Sequence, residues 1–536
     1  MLSKIKSFRV CLLAVILVFT MAISDWSPAV SAAETADFTP LNASQVVFEM
    51  GAGWNLGNQL EASANGTPNE TAWGNPAVTQ ALIQKVKAAG FKTIRIPVSY
   101  LNYIGSAPNY TINSTWLNRV KTVVDYAYNE GLYVIINMHG DGYNSVAGSW
   151  LLVNSSDQTT IRAKYQKAWQ QIANTFVNYD EHLIFESMNE EFDGTYGTPN
   201  TTYYSNLNTY NQIFVDTVRQ TGGNNSARWL LIPGWNTNID YTVGNYGFSL
   251  PTDNYRSSTI PSSEKRIMIS VHYYSPWDFA GEESGTITQW GATAANPSKK
   301  STWGQEDYLE SQLKSTYDKF VTQGYPVVIG EYGSIDKTAF DSSNDTYRAA
   351  FAKAVSETAR KYSSVPVYWD NGHNGQYGFG LFNRSTNAIT EQGIIDAIMS
   401  AMGNYKMKNV TTGLYIDGIG RTANGSNAGQ WSAGTSNNQR WKMEFYGSYY
   451  KLKNVATGLY LDGMGRTANG SICGQWSNST SNNQRWVLEA YGSNYRIKNV
   501  ATGLYLDGGG NTTNGSDLKM WGSNTSTNLQ WQFINP

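Results

Sequence analysis

Cysteine is nearly absent from this sequence: Cys11 and Cys473 are the only two in 536 residues. Cys11 lies in an apolar N-terminal run, which leaves Cys473 alone in a processed chain and excludes an intramolecular disulfide. Packed cores rather than cross-links must hold such a fold. Histidine is also scarce, limited to His139, His182, His272 and His373. No two of these fall at metal-ligand spacing, so neither a metal nor a cofactor is expected. Charge is sparse and balanced, with 15% charged residues and a net charge of -2. That excludes the basic footprint of a nucleic-acid binder and the acidic bias of a solvating tail. Long apolar runs are missing beyond residue 23, so no membrane anchor is expected.

The first apolar run has its own meaning. Lys4, Lys6 and Arg9 precede Val10 to Ile23, and Val30-Ser31-Ala32 supplies small residues for cleavage. This reads as a signal peptide over residues 1–32 and predicts a secreted, extracellular monomer. The remaining length exceeds one ordinary core and predicts two domains, at 36–402 and 403–536. Aromatics are plentiful at 13%, with 18 Trp and 35 Tyr. Such residues either fill cores or offer flat faces to sugar rings.

The first domain is organised around Leu183-Ile184-Phe185-Glu186-Ser187-Met188-Asn189-Glu190-Glu191. An apolar run that enters a polar cluster reads as a strand buried on both faces and ending at an open site. Val327-Val328-Ile329-Gly330 followed by Glu331-Tyr332-Gly333 has the same build. Two carboxylates at the ends of separate strands are what glycosidic bond hydrolysis requires: one protonates the leaving oxygen and the other attacks the anomeric carbon.

Strand-like runs recur at Gly51–Trp54, Thr93–Ile96, Tyr133–Asn137, Leu183–Glu186, Trp229–Ile232, Met268–His272, Pro326–Gly330 and Pro366–Trp369. Amphipathic segments lie between several of them, as at Ala81–Gly90 and Trp116–Gly131. The alternation predicts an α/β fold, a (β/α)8 TIM barrel, with chemistry at the C-terminal strand ends. Those ends carry Arg95, His139, Asn189 with Glu190, His272 with Tyr274, Glu331 and Trp369. Arg95 inside an apolar strand needs a partner, and a catalytic carboxylate would serve. Trp54, Trp235 and Trp277 follow strands one, five and six, each as a stacking platform or a loop anchor.

These motifs, in this order, resemble glycoside hydrolase family 5, the cellulase-type retaining enzymes, over about two thirds of the chain. The resemblance implies that Glu190 is the proton donor and Glu331 the nucleophile. It implies that Asn189 holds the substrate's 2-hydroxyl and that Tyr274 hydrogen-bonds the nucleophile. Arg95, His139, His272 and Trp369 would orient the pair or floor the subsite. Glu191 departs from the Pro that often follows the acid/base residue. An ionised Glu331 would keep Glu190 protonated, and a retaining pair would stand ~5–5.5 Å apart.

From about Tyr405 the sequence repeats. Gly-Leu-Tyr-x-Asp-Gly recurs with its aspartates Asp417, Asp462 and Asp507 at a constant period, followed by Trp431, Trp476 and Trp521, then Trp441, Trp486 and Trp531. Asn424-Gly425, Asn469-Gly470 and Asn514-Gly515 mark turns, and a threefold all-β structure follows. Gln439-Arg440-Trp441 and Gln484-Arg485-Trp486 make the module resemble a ricin-type β-trefoil lectin. The resemblance implies sugar-binding sets Asp417, Trp431, Asn438 and Gln439 in repeat one, Asp462, Trp476, Asn483 and Gln484 in repeat two, and Asp507, Trp521 and Asn528 in repeat three. Leu529 replaces the third Gln. The expected protein is an endo-β-1,4-glucanase acting on polysaccharide β-glucan, with a sugar-binding module. Mannan, xyloglucan and mixed-linkage glucan are alternative substrates, and a non-catalytic glycan-binding protein is the rival class.

Overall fold

The computed structural model describes residues 38–446 and 449–534; the expected signal peptide lies outside the described residues. Eight parallel strands close into a barrel: β1 (Gly53–Asn55), β2 (Thr93–Ile96), β3 (Tyr133–Ile136), β4 (Leu183–Glu186), β5 (Leu230–Pro233), β6 (Ile267–Tyr273), β7 (Val327–Tyr332) and β8 (Ser364–Tyr368). All eight expected strands are present, their ends displaced by no more than two residues. Every residue of every barrel strand is buried. Helices cover the outside and side chains fill the inside, which explains the near-continuous apolar runs.

Two local details depend on glycine. The expected helix stop at Gly90 adopts φ +108°, and a Cβ there would stand 2.7 Å from Met399 Sδ. Between β6 and β7 the register shifts, so that Val271 pairs with Ile329 but His272 pairs with Glu331. Gly330 is the skipped residue, and a Cβ on it would lie 3.0 Å from His272 Nε2. This bulge turns His272 and Glu331 toward one another at the barrel mouth.

A short helix, α1 (Ala43–Met50), closes the opposite end. Asn42 caps it: its Oδ1 accepts from Gln45 N at 3.0 Å, and Gln45 Oε1 accepts from Asn42 N. Val46 and Met50, one turn apart, pack into the barrel floor with Ile135, Ile184 and Val328. The other face belongs to the C-terminal region. Gln45 Nε2 donates to the carbonyls of Gly492 and Asn494 at 3.0 and 3.1 Å. Phe48 meets Tyr405, Tyr495 and Phe533 with ring centroids 4.9, 5.3 and 4.6 Å away. One helix thus serves two cores, by the three- and four-residue spacing of its faces.

The C-terminal region is an all-β trefoil. Strands Asn404–Asn409, Trp441–Tyr446, Tyr449–Asn454, Trp486–Tyr491, Asn494–Asn499 and Trp531–Ile534 pair in a closed ring. Trp441, Trp486 and Trp531 are fully buried on its axis. Each indole donates to a carbonyl of its own repeat, Ile416, Leu461 or Leu506, at 3.0–3.1 Å.

Candidate active site

Arg95 is the centre of the barrel mouth. It is fully buried on β2, and its guanidinium reaches four partners. Nε donates to Glu186 Oε2 at 2.7 Å, Nη1 to Glu331 Oε1 at 2.7 Å and to Asn55 Oδ1 at 3.0 Å, and Nη2 to Asn189 Oδ1 at 2.7 Å. Burial opposes the guanidinium's charge, but Glu186 and Glu331 outweigh that and raise its pKa. The carboxylate expected to partner Arg95 is there, and a second one with it. Glu186 ends β4 facing inward, where it also accepts from Asn137 Nδ2 at 3.0 Å and Ser270 Oγ at 2.7 Å. A buried charge so fully satisfied acts as a fixed support.

The two strand-end glutamates face each other. Glu331 Oε2 accepts from the Tyr274 hydroxyl at 3.0 Å. Glu190 Oε1 lies 2.6 Å from His272 Nδ1, which is 3.6 Å from Glu331 Oε2. Glu190 Oε2 accepts from the Tyr143 hydroxyl. Asn189, beside it, donates its Nδ2 to the same Tyr143 oxygen at 3.2 Å. One oxygen of each glutamate and the imidazole nitrogen all lie within 4.8 Å of one another. Burial, then the nearby carboxylates, raise the phenol pKa of both Tyr143 and Tyr274, so both remain hydrogen-bond donors.

The two carboxyls titrate as a coupled pair. Burial pushes Glu331 up, His272 and Arg95 pull it down, and Glu190 pushes it up again; the result is above the ordinary glutamate value. Burial also pushes Glu190 up, but the hydrogen bonds of His272 and Tyr143 outweigh it and bring Glu190 below that value. The geometry therefore reverses the order expected from the sequence. The reason is local: His272 turns to Glu190 and only approaches Glu331.

The floor is aromatic. His139 and Trp369 stack with centroids 6.1 Å apart and planes within 7°. Burial, with Arg95 and His272 adding to it, holds the His139 pKa well below the ordinary histidine value. Glu191 takes no part in the cluster. It is buried, accepts from Val153 N at 3.2 Å, and burial raises its pKa well above the ordinary glutamate value. Trp54 is an anchor, fully buried and donating to Asp370 Oδ2 at 2.9 Å. Trp235 is buried as well, whereas Trp277 is 57% exposed and stands edge-on to Tyr274. Glu190, His272 and Glu331 are also a geometrically possible three-ligand cation set, as are Asp180, Glu181 and His182. In the first set Arg95 already places a positive charge on Glu331; in the second, Asp180 accepts from His182 and Glu181 from Thr39 N. Both read as hydrogen-bonded clusters.

Sequence reading missed Tyr143, Asn55 and Ser270. Asn55 closes β1 as Asn137 follows β3, and a polar residue ending an apolar strand is the signal that finds them. Tyr143, in a glycine-rich loop, carried no periodic signal.

In the trefoil, Trp431, Trp476 and Trp521 are about 40% exposed, while Asp417, Asp462 and Asp507 are each only 5% exposed. Gln439 and Gln484 sit deeper than the aromatic rim. Both are buried, and each laces its own loop: Gln439 donates to Ser432 O at 2.7 Å and accepts from Gly434 N at 2.9 Å, and Gln484 does the same with Ser477 O and Ser479 N. From there they lower the carboxyl pKa of Asp417 and Asp462 against the rise due to burial. They brace the aspartates and do not face outward.

A parallel barrel with paired carboxylates at the ends of its fourth and seventh strands, flanked by a β-trefoil, defines a glycoside hydrolase with a lectin-like module. The cellulase model of glycosyl hydrolase family 5 matches residues 57–375, and the ricin-type β-trefoil lectin model matches segments from 399 to 535. Endoglucanase A of Paenibacillus barcinonensis is 72% identical over 402 residues, covering 75% of this chain and 100% of that one. A solved family 5 xyloglucanase from Paenibacillus pabuli is 79% identical with a TM-score of 0.66, covering 67% of this chain and 100% of that one. A broad-specificity endoglucanase structure from Bacteroides salanitronis is 40% identical with a TM-score of 0.63, covering 67% and 95% respectively. The chain belongs to glycoside hydrolase family 5.

Proposed function

We propose that this chain is a secreted endo-β-1,4-glucanase that acts with retention of configuration. Its catalytic body spans residues 36–402, and residues 403–536 bind sugar. The observation that carries this reading is the approach of Glu190 and Glu331 to within 4.8 Å, oxygen to oxygen, about a shared histidine, with Arg95 on Glu331. A nearest-oxygen approach this short favours the ~5–5.5 Å spacing of a retaining pair over the ~6.5–9.5 Å spacing of an inverting one.

Glu331 attacks the anomeric carbon while Glu190 gives its proton to the departing glycosidic oxygen. A covalent glycosyl-enzyme forms and the aglycone leaves. Glu190 then takes a proton from water, whose oxygen displaces Glu331 and yields the β-anomer. Arg95 and Tyr274 hold Glu331 for attack. Asn189, fixed by Arg95 and Tyr143, keeps one amide hydrogen for the sugar's 2-hydroxyl. His139 and Trp369 support the ring from below. Burial raises both carboxyls, but His272 and Tyr143 bring Glu190 below its ordinary value while Glu331 stays above its own, so substrate must reverse these directions. An electrophilic carbon over Glu331 favours that carboxylate's charge, and a basic glycosidic oxygen beside Glu190 favours a proton there. His272, 2.6 Å from Glu190 and 3.6 Å from Glu331 through its Nδ1, holds the two carboxyls in place.

Export is supported by the basic-then-apolar N-terminus; among the described residues no helix is long and apolar enough to cross a membrane. The 79% identity to a xyloglucanase favours a second reading, in which the β-1,4-glucan backbone is cut while carrying side chains. Reducing-sugar release from carboxymethylcellulose, xyloglucan, mixed-linkage glucan and glucomannan tests both. Release from the two unbranched glucans alone supports the first; fastest release from xyloglucan supports the second; release from none sinks both.

A further inference from the structure

The three trefoil repeats interlock in a ring. Trp431 is backed by Gly515 of repeat three, Trp476 by Gly425 of repeat one, and Trp521 by Gly470 of repeat two. Each glycine has φ between +81° and +86°, and a Cβ on it would stand 3.3–3.5 Å from the indole Cζ3. The neighbouring asparagine fixes the strand behind each indole. Asn514 Oδ1 accepts from Ser432 N at 2.8 Å, Asn424 Oδ1 from Ser477 N at 2.7 Å, and Asn469 Oδ1 from Gly522 N at 2.8 Å. Short strand pairs cross the same joints, 516–517 with 429–430, 426–427 with 474–475, and 471–472 with 519–520. Every exposed indole is therefore positioned by a turn from another repeat.

The third repeat breaks the symmetry where a sugar would bind. Asp417 and Asp462 face Gly429 and Gly474 across their hairpins, but Asp507 faces Lys519. Volume is conserved by exchange. Ile419 and Met464 lie over Gly429 and Gly474, while Lys519 lies over Gly509, its Cδ 3.2 Å from where a Cβ would be. Charge is not conserved, because the lysine's positive charge acts on Asp507. Leu529 also removes the amide that braces Asp417 and Asp462. Asn438 and Asn483 accept from Gly420 and Gly465 N at 3.1 Å, yet Asn528 Oδ1 has no hydrogen-bond partner among the described residues.

We infer that only repeats one and two bind neutral pyranosides, that Asn514 and Asn424 complete those two sites from neighbouring repeats, and that Lys519 closes the third. This rests on the sugar-binding reading of the trefoil. A neutral sugar needs the aspartate to accept its hydroxyls while the indole covers its apolar face. An ammonium beside the aspartate competes for those oxygens.

The test is retention of the full chain on galactosyl-, xylosyl- and glucosyl-agarose. On whichever matrix retains the wild type, Trp431→Ala and Trp476→Ala should each weaken retention roughly 10–100-fold by abolishing two-point attachment. Trp521→Ala should leave it unchanged. Asn514→Ala should weaken retention and add nothing to Trp431→Ala, while Asn469→Ala should be silent. Asn514 and Asn469 make equivalent backbone bonds, so matched melting points for their variants separate binding from folding. Equal losses from Trp521→Ala and Trp431→Ala, or from Asn469→Ala and Asn514→Ala, would overturn this inference alone. A triple Trp431, Trp476 and Trp521 variant that matches the wild type on every matrix would instead remove the sugar-binding reading itself.

Discussion

At the barrel mouth one guanidinium touches four buried side chains drawn from three other strands or strand ends, and each appears once. In the trefoil the buried centre is three indoles, and the polar residues sit at the rim in near-equivalent copies. The barrel concentrates charge where removal of one group strands the others. The trefoil distributes its rim residues in copies, so that removal of one copy leaves two frameworks intact. The difference shows where each region tolerates change. Lys519 and Leu529 could enter repeat three because its aspartate is not shared, whereas no barrel mouth residue has a spare.

The largest effect sharpens this contrast. Glu331→Gln should lower turnover about 10⁴-fold or more, as loss of a covalent nucleophile does. It should leave retention on sugar matrices unchanged. Trp431→Ala should do the reverse, and equal damage to both assays by either variant would break the separation of roles. Next is Arg95→Met, which strips the buried cationic donor from Glu186 and Glu331. It should destabilise the barrel by about 3–5 kcal/mol in chemical denaturation. A neutral outcome would show that the arginine is not the electrostatic keystone.

A smaller effect depends on pH. Glu61 is buried beside the site, accepts from the backbone N–H groups of Asn58 and Gln59, and burial raises its pKa from 4.5 to about 7. A carboxyl raised in the folded state binds its proton there, so its stabilisation is full below pH 4.5 and is lost as pH rises to about 7. The loss should be about 3 kcal/mol, and Glu61→Gln should not suffer it. The melting-point difference between variant and wild type should thus grow in the variant's favour from pH 4.5 to 7. A flat difference would mean that Glu61 is charged throughout.

The smallest effect concerns the joint. Phe48→Ala should remove roughly 1.5–3 kcal/mol of apolar burial. A chain ending at Met402 should still cut soluble glucan but melt lower, because it uncovers Phe48. Unchanged melting of both would make the trefoil an independent appendage.

Much of this was legible in the sequence because barrel strands and trefoil repeats are periodic. The eight strand runs, the ends carrying Arg95, His139, Asn189, Glu190, His272, Tyr274, Glu331 and Trp369, and the 45-residue spacing of the aspartates are local patterns. What was illegible is relative position. Nothing in His272-Tyr273-Tyr274 says that a bulge at Gly330 turns the imidazole to Glu190, so the downward pull on that carboxyl was not foreseen. Trp54 and Trp277 look alike beside their strands, and only packing separates an anchor from an exposed face. Gln439 follows a half-buried asparagine but turns inward. The α1 helix is eight residues long, too short for its two faces to announce two different cores.

The central claim is that Glu190 and Glu331 form one retaining pair. Proton NMR of the anomeric region during the first minutes of hydrolysis tests it most directly, before mutarotation mixes the products. The β-anomer should appear first and the α-anomer grow in later. An α-anomer appearing first would mean direct attack by water, and would contradict the assignment of Glu331 as the nucleophile.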